Sequence, residues 1–246
     1  MFPPVISSWR RRLKALLGPH WTVRLRTVVR RQGLPRWGNL RRLRPFSEQF
    51  GFERGTPVDR PYISAFFAEH AGCITGDVLE IQSSGYTRRY GQSVRVAHTV
   101  DISSAHDPTW CCDLALAEDV IPDERYDCFL LPQTLQHVRH LEPALRNILR
   151  VVKPGGTVLA SVGGLMPLIG DGPEYWRHSA DAWRDVVQLN WVGCDVEVES
   201  HGNCLVAVAA MLGLAAEELS PAEMAVHDPR YPVVTTIFCR KTARAS

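Results

Sequence analysis

A chain of 246 residues with 45% hydrophobic and 22% charged residues is long enough for one well-buried α/β domain, and its even composition excludes a disordered or fibrous protein. Its formal net charge of +2 conceals a division: residues 1 to 45 hold twelve Lys and Arg and no acid, leaving sixteen cations against twenty-six acids in the remainder. Seven cysteines without a CxxC pair, no apolar run near the ~18 residues of a membrane span, and no hydrophobic signal core predict a soluble cytoplasmic protein with reduced, buried thiols.

The charge division predicts two parts, a basic helical N-terminal extension over residues 1–45 and one domain over 46–246. Within the extension, Trp9, Leu13, Leu16 and Leu17 recur at helical spacing beside Arg10, Arg11, Arg12 and Lys14. An apolar face next to a cationic one suits packing on the acidic body of its own domain or on the anionic inner face of a membrane. No aromatic-interleaved motif points to nucleic acid.

Residues 45 to 60, rich in turn formers and aromatics, predict an ordered loop, and Tyr62 to His70 has the apolar spacing of a short helix. Val78-Leu79-Glu80-Ile81, followed at once by Gln82-Ser83-Ser84-Gly85, reads as a buried parallel strand ending in a ligand loop. A second strand over Val94 to Val100 ends in Asp101. A third over Cys111 to Leu114 carries Asp113, and a fourth over Tyr126 to Leu131 ends in Pro132-Gln133-Thr134.

Leu141, Leu145, Ile148, Leu149 and Val152 predict an amphipathic helix over residues 142–152, stopped by Lys153-Pro154-Gly155-Gly156 before a strand begins at Thr157. Helical patterns over Ser179 to Leu189 and Asn203 to Leu214, with strands over Asp195 to Ser200 and Val233 to Arg240, complete the chain. Strands alternating with helices predict an α/β, doubly wound, mainly parallel seven-stranded sheet.

In such a sheet, ligands sit outside the carboxyl ends of the strands. That rule selects the loop from Gln82 to Gly85, Asp101, Asp113 and Gln133-Thr134. An acid ending the second strand suits the two hydroxyls of a ribose, because a carboxylate accepts two hydrogen bonds.

Val78-Leu79-Glu80-Ile81, Val100-Asp101-Ile102, Asp127-Cys128-Phe129 with Gln133-Thr134-Leu135-Gln136-His137-Val138, and Leu149 through Gly156 together resemble the successive motifs of class I S-adenosylmethionine (SAM)-dependent methyltransferases, especially the type 11 group. The segments Arg54 to Arg60 and Glu174 to Arg177 are similar to bacterial members found with glycan biosynthesis enzymes. The resemblance implies SAM as cofactor, held by Glu80, Gln82, Ser83, Gly85, Asp101, Ile102, Asp113, Leu114 and Gln133. In it, the loop after Ile81 passes under the methionine part, Asp101 holds the ribose, Asp113 and Leu114 border the adenine, and Gln133 closes the pocket near the sulfonium.

Where the family has three alternating glycines, this chain has Gln82, Ser84 and Tyr86, with Gly85 between them. The implied activity is O-methylation of a hydroxyl on a sugar, glycan or specialised metabolite. The alternative, raised by the missing glycines, is a catalytically silent scaffold of the same fold. A nicotinamide enzyme is disfavoured, since the loop lacks GxGxxG.

An alcohol acceptor calls for a base, and His137 and His178 are the catalytic candidates because histidine titrates near neutral pH. Tyr175 and Trp176 are candidates to stack on the acceptor. Asp59 and Arg60 are expected to form a structural ion pair. His98, His106, His137 and His140 lack a compact ligand pattern, so no metal is expected.

Overall fold

The computed structural model describes residues 36–168 and 172–243, so the basic helix expected around Trp9 to Leu17 lies outside the described residues. The chain divides into two units, 1–43 and 44–246. In the first, a single 3-10 turn, Gly38–Leu40, is described.

The second unit holds a seven-stranded sheet in the order β3-β2-β1-β4-β5-β7-β6. Its strands are β1 (Gly76–Ile81), β2 (Val94–Asp101), β3 (Trp110–Cys111), β4 (Tyr126–Leu131), β5 (Val152–Gly163), β6 (Asp195–His201) and β7 (Val234–Arg240). The pairings among β1 to β5 are parallel, while β7 runs antiparallel to both β5 and β6. All the strands except β7 therefore end on one side of the sheet. Cys128 to Leu131 are wholly buried, as strands covered on both faces require.

Six helices are described in this unit: α1 (Arg60–Glu69), α2 (Gly85–Tyr90), α3 (Leu141–Val151), α4 (Ala180–Asn190), α5 (Cys204–Leu212) and α6 (Pro221–Ala225). In α3, Leu141, Ala144, Leu145, Ile148 and Val151 are buried at three- and four-residue steps. Asn147 on the same face donates to Leu114 O, and Arg150 donates to Asn147 Oδ1, Ile121 O and Ala117 O. These bonds satisfy carbonyls of the 3-10 segment Leu114–Asp119 that runs beside α3.

The Lys153-Pro154-Gly155-Gly156 stretch lies within β5, at the amino ends of the strands. Lys153 Nζ is 2.8 Å from Asp127 Oδ2 and 3.6 Å from the buried Asp77 carboxylate. A Cβ on Gly156 would come within 2.8 Å of Asp127 O, so only glycine lets β5 pass β4 there. The segment that carries the family resemblance most strongly thus braces the end of the sheet opposite the ligand loops.

Three expectations need correction. β3 is two residues long, and Asp113 lies beyond it as the N-cap of Leu114–Asp119. Strand β5 begins at Val152 and not at Thr157, so Lys153 to Gly156 belong to it, and in helix α2 Tyr86 and Tyr90 meet Phe67 at ring distances of 4.5 and 6.4 Å. The thiols are not uniformly buried: Cys128 and Cys239 are, whereas Cys111 and Cys204 are exposed. Residues 45–59 form the expected turn-rich crossing, in which Phe46 N donates to Leu212 O.

Candidate active site

The loop after β1 turns sharply at Gln82. Its φ is +61°, Ser83 N donates to Ile81 O at 2.7 Å, and Gln82 N donates to Val100 O at 2.8 Å. The position at which the resemblance implies glycine therefore has the left-handed backbone that favours glycine, at a cost of about 1 kcal/mol for a residue with a Cβ. Gly85 opens α2 with a negative φ, and a Cβ there would meet nothing nearer than Ser83 Oγ at 3.5 Å.

Glu80 anchors this loop. Its buried carboxylate accepts from Tyr86 N (2.9 Å), Thr87 N (2.8 Å) and Thr87 Oγ1 (2.6 Å). Burial pushes its pKa up, and the three donors work against that shift. Glu80 thereby ties the loop after β1 to the first turn of α2, with one acceptor position of Oε1 left over.

At the end of β2, Asp101 Oδ1 accepts from Ser103 N at 3.0 Å and Oδ2 lies 3.1 Å from His106 Nδ1. Each carboxylate oxygen has a second acceptor position, so the group can still take up two hydroxyls. Ile102 beside it is exposed. The sequence did not single out His106 for this site, because its contact with Asp101 depends on the 3-10 turn Ser104–His106 folding back.

Asp113 Oδ1 accepts from Ala115 N and caps the next segment, which fixes its carboxylate at the rim. Leu114 beside it is buried in the core.

The turn after β4 gathers the rest. Gln133 also has a positive φ, +49°, and its N donates to Ser161 Oγ at 3.0 Å. Both ends of its side chain are tied: Nε2 donates to Asp59 Oδ2 at 3.0 Å, and Oε1 accepts from Gln136 Nε2 at 2.8 Å. Arg60 NH1 donates to the same Asp59 oxygen at 2.9 Å, so the expected Asp59–Arg60 pair is present. Asp59 additionally ties the segment before α1 to the turn after β4.

The segment after β5 closes on the same turn. Tyr175 N and Trp176 N both donate to Gln136 O, and Trp176 Nε1 donates to Val138 O at 2.7 Å. Glu174 pairs with Arg177, whose guanidinium also donates to Gly164 O and Pro167 O. Trp176 is thereby part of the wall, partly buried against the core, whereas Tyr175 is exposed at the mouth.

His137 Nδ1 lies 3.1 Å from Pro173 O. A carbonyl accepts only, so Nδ1 carries a proton, and the neutral form of the ring is the tautomer with its lone pair on Nε2. His178 instead sits between Trp176 and Trp183, with ring centroids at 5.4 and 5.0 Å. The structure thus brings His137, Gln133, Tyr175 and Trp176 to one place and sets His178 against tryptophan rings. Among the described residues, no cluster of His, Cys, Asp and Glu is arranged to hold a metal ion, and no helix is long and apolar enough to cross a membrane.

Residues 71–160 match the family model Methyltransf_11, described as a methyltransferase domain. A 38-residue stretch is 50% identical to the ubiquinone/menaquinone biosynthesis C-methyltransferase UbiE of Pseudomonas fluorescens, covering 15% of each chain. The chain thus matches about 15% of the length of that curated relative. Among solved structures, the [4+2]-cyclase SpnF aligns over 81% of this chain and 87% of its own, with 16% identity and a TM-score of 0.49. An S-adenosylmethionine-dependent methyltransferase from Mesorhizobium loti aligns over 75% of this chain and 98% of its own, with 13% identity and a TM-score of 0.49.

Proposed function

We propose that the chain, whose residues 71–160 match a methyltransferase domain, is a class I SAM-dependent O-methyltransferase acting on a hydroxyl of a sugar, glycan or specialised metabolite. The observation that carries the hydroxyl reading is the contact of His137 Nδ1 with Pro173 O, which in the neutral ring leaves the Nε2 lone pair as the acceptor in the turn after β4.

The residues present fit the cofactor. The β1 loop keeps a glycine-like turn at Gln82, and the Asp101 carboxylate stands at the end of β2 with acceptor positions to spare for the ribose. Bound SAM supplies an electrophilic methyl group on a sulfonium. Asp101, the loop from Gln82 to Gly85, and the rim at Asp113 hold the cofactor. Alignment does most of the work in such a transfer, and the network through Asp59, Gln133 and Gln136 fixes the wall on which alignment depends. His137 Nε2 takes the acceptor proton, while Pro173 O holds the ring and stabilises the charge that develops on it. Tyr175 borders the acceptor at the open mouth.

Calorimetric titration of the full chain with SAM and with its demethylated product tests the cofactor half of this reading. Micromolar binding of either supports it. No binding at millimolar ligand by folded protein leaves the silent scaffold. His137→Ala is expected to lower turnover roughly 100-fold, within the usual range for a general base, with SAM affinity unchanged. The 38-residue likeness to a C-methyltransferase makes a carbon acceptor the second reading. The product's methyl carbon shift separates O–CH3 from C–CH3.

A further inference from the structure

A cavity of about 610 Å³ lies outside the methyl-transfer region, at the β6 edge of the sheet. Its floor is the end of β6, one wall is the first turn of α4, and residues 224–232 cover it. In the sheet register, His201 aligns with Val234 and Val234 with Gly163, so His201 stands level with the end of β5, two strands away. That places the cavity floor about 10 Å to the side of Gly163, at the usual spacing of strands. The segment carrying Tyr175 and Trp176 leads directly into Ser179 and Ala180 of the cavity wall.

The lining determines what it can hold. His201 Nε2 lies 2.8 Å from Thr236 Oγ1, whose hydroxyl reaches Glu199 O at 3.5 Å. If that hydroxyl donates to the carbonyl, Nε2 carries the proton and Nδ1 is left as an acceptor. Burial holds the imidazole below its ordinary pKa, in the neutral form. Arg184 is the one full cation in the lining, and it is already engaged by Asp181 Oδ1 and Val198 O. The Glu199 carboxylate keeps its acceptor capacity. The lining therefore sets the Glu199 and His201 acceptors beside the Ser179 and Ser200 hydroxyls and the His227 ring, and its guanidinium is already engaged. Tyr62, Met224, Val226 and Pro232 supply apolar surface between these polar groups.

Hydroxyl edges combined with C–H faces are the chemistry of a sugar ring. We propose that this cavity seats a neutral, polyhydroxylated ring of the acceptor, distinct from the unit that receives the methyl group, with Glu199 and His201 accepting its hydroxyl hydrogens. The inference rests on the methyltransferase reading above, and it makes the acceptor longer than a single ring.

The test is retention of the labelled full chain on an array of neutral, acidic and amine-bearing glycans, with Glu199→Gln and His201→Ala as variants and affinity for demethylated cofactor as a separate readout. Retention on a subset of neutral glycans, falling at least tenfold in Glu199→Gln with cofactor affinity unchanged, is the expected result. Should His201→Ala not fold, the exposed Glu199 still decides the outcome. No retention above blank, equal retention by parent and Glu199→Gln, or retention on amine-bearing glycans alone overturns the proposal. Variant-sensitive retention without cofactor binding would instead overturn the methyltransferase reading and leave the cavity assignment standing.

Discussion

Asp101 Oδ2 and His106 Nδ1 lie 3.1 Å apart at the end of β2, so the carboxylate that we propose receives the ribose is oriented by the fold itself. Asp101→Ala is expected to weaken SAM binding by about 1–3 kcal/mol, the cost of losing a charged hydrogen-bond partner. His106→Ala should change it less than threefold, because the carboxylate and its bond from Ser103 N remain. Calorimetry on both variants checks this, and unchanged affinity in Asp101→Ala would remove that residue from the site.

Gln82 carries a side chain in backbone territory that suits glycine. Gln82→Gly should unfold at a temperature no lower than the parent and bind SAM at least as well, since relief of strain offsets the entropy glycine adds to the unfolded chain. Gln82→Val, β-branched at positive φ, should lose about 1–2 kcal/mol. Thermal unfolding of the two variants gives the comparison. A destabilised Gln82→Gly would mean that the glutamine side chain makes a contact worth more than the strain.

Asp77 is the buried centre of a charge cluster at the amino ends of the strands. Its carboxylate is held well below the usual range, first by the hydrogen bond from Arg95, then by that from Arg125 and by the charge of Lys153. A carboxylate with a depressed folded-state pKa contributes stability that is present above its ordinary value near 4 and lost as pH falls through the folded value. Urea unfolding should therefore show the parent weakening steeply below about pH 4. Asp77→Asn should be about 2 kcal/mol less stable at neutral pH and flatter in acid. Parallel curves for the two proteins would show that other carboxylates govern acid unfolding.

The basic segment 1–45 is expected to confer affinity for anionic vesicles. In a sedimentation assay with phosphatidylserine vesicles, the full chain should pellet and a chain lacking residues 1–45 should stay in solution. Equal recovery of the two would rule out membrane contact through this segment.

Much of the fold was legible in the sequence because its signals are local. The continuous apolar run of β4 and the three- and four-residue steps of α3 each occupy one window, and β4 matches its expected bounds, Tyr126 to Leu131. The acid at the end of β2 was legible for the same reason.

What the sequence did not reveal are relations between distant segments, whose partners are chosen by packing and hydrogen-bond geometry. Asp59 holds Gln133 across 74 positions, Pro173 sets the His137 tautomer across 36, and Thr236 orients His201 across 35. The missing glycines illustrate the division. From sequence alone, Gln82 reads as a departure from the glycine pattern; the tertiary structure keeps the turn, because the Val100 and Ile81 carbonyls take the backbone N–H groups on either side of its Cα. The sequence by itself determined the order of the elements and which strand ends carry polar groups. Only the folded chain decided which of those groups are spent on one another and which are left to face a ligand.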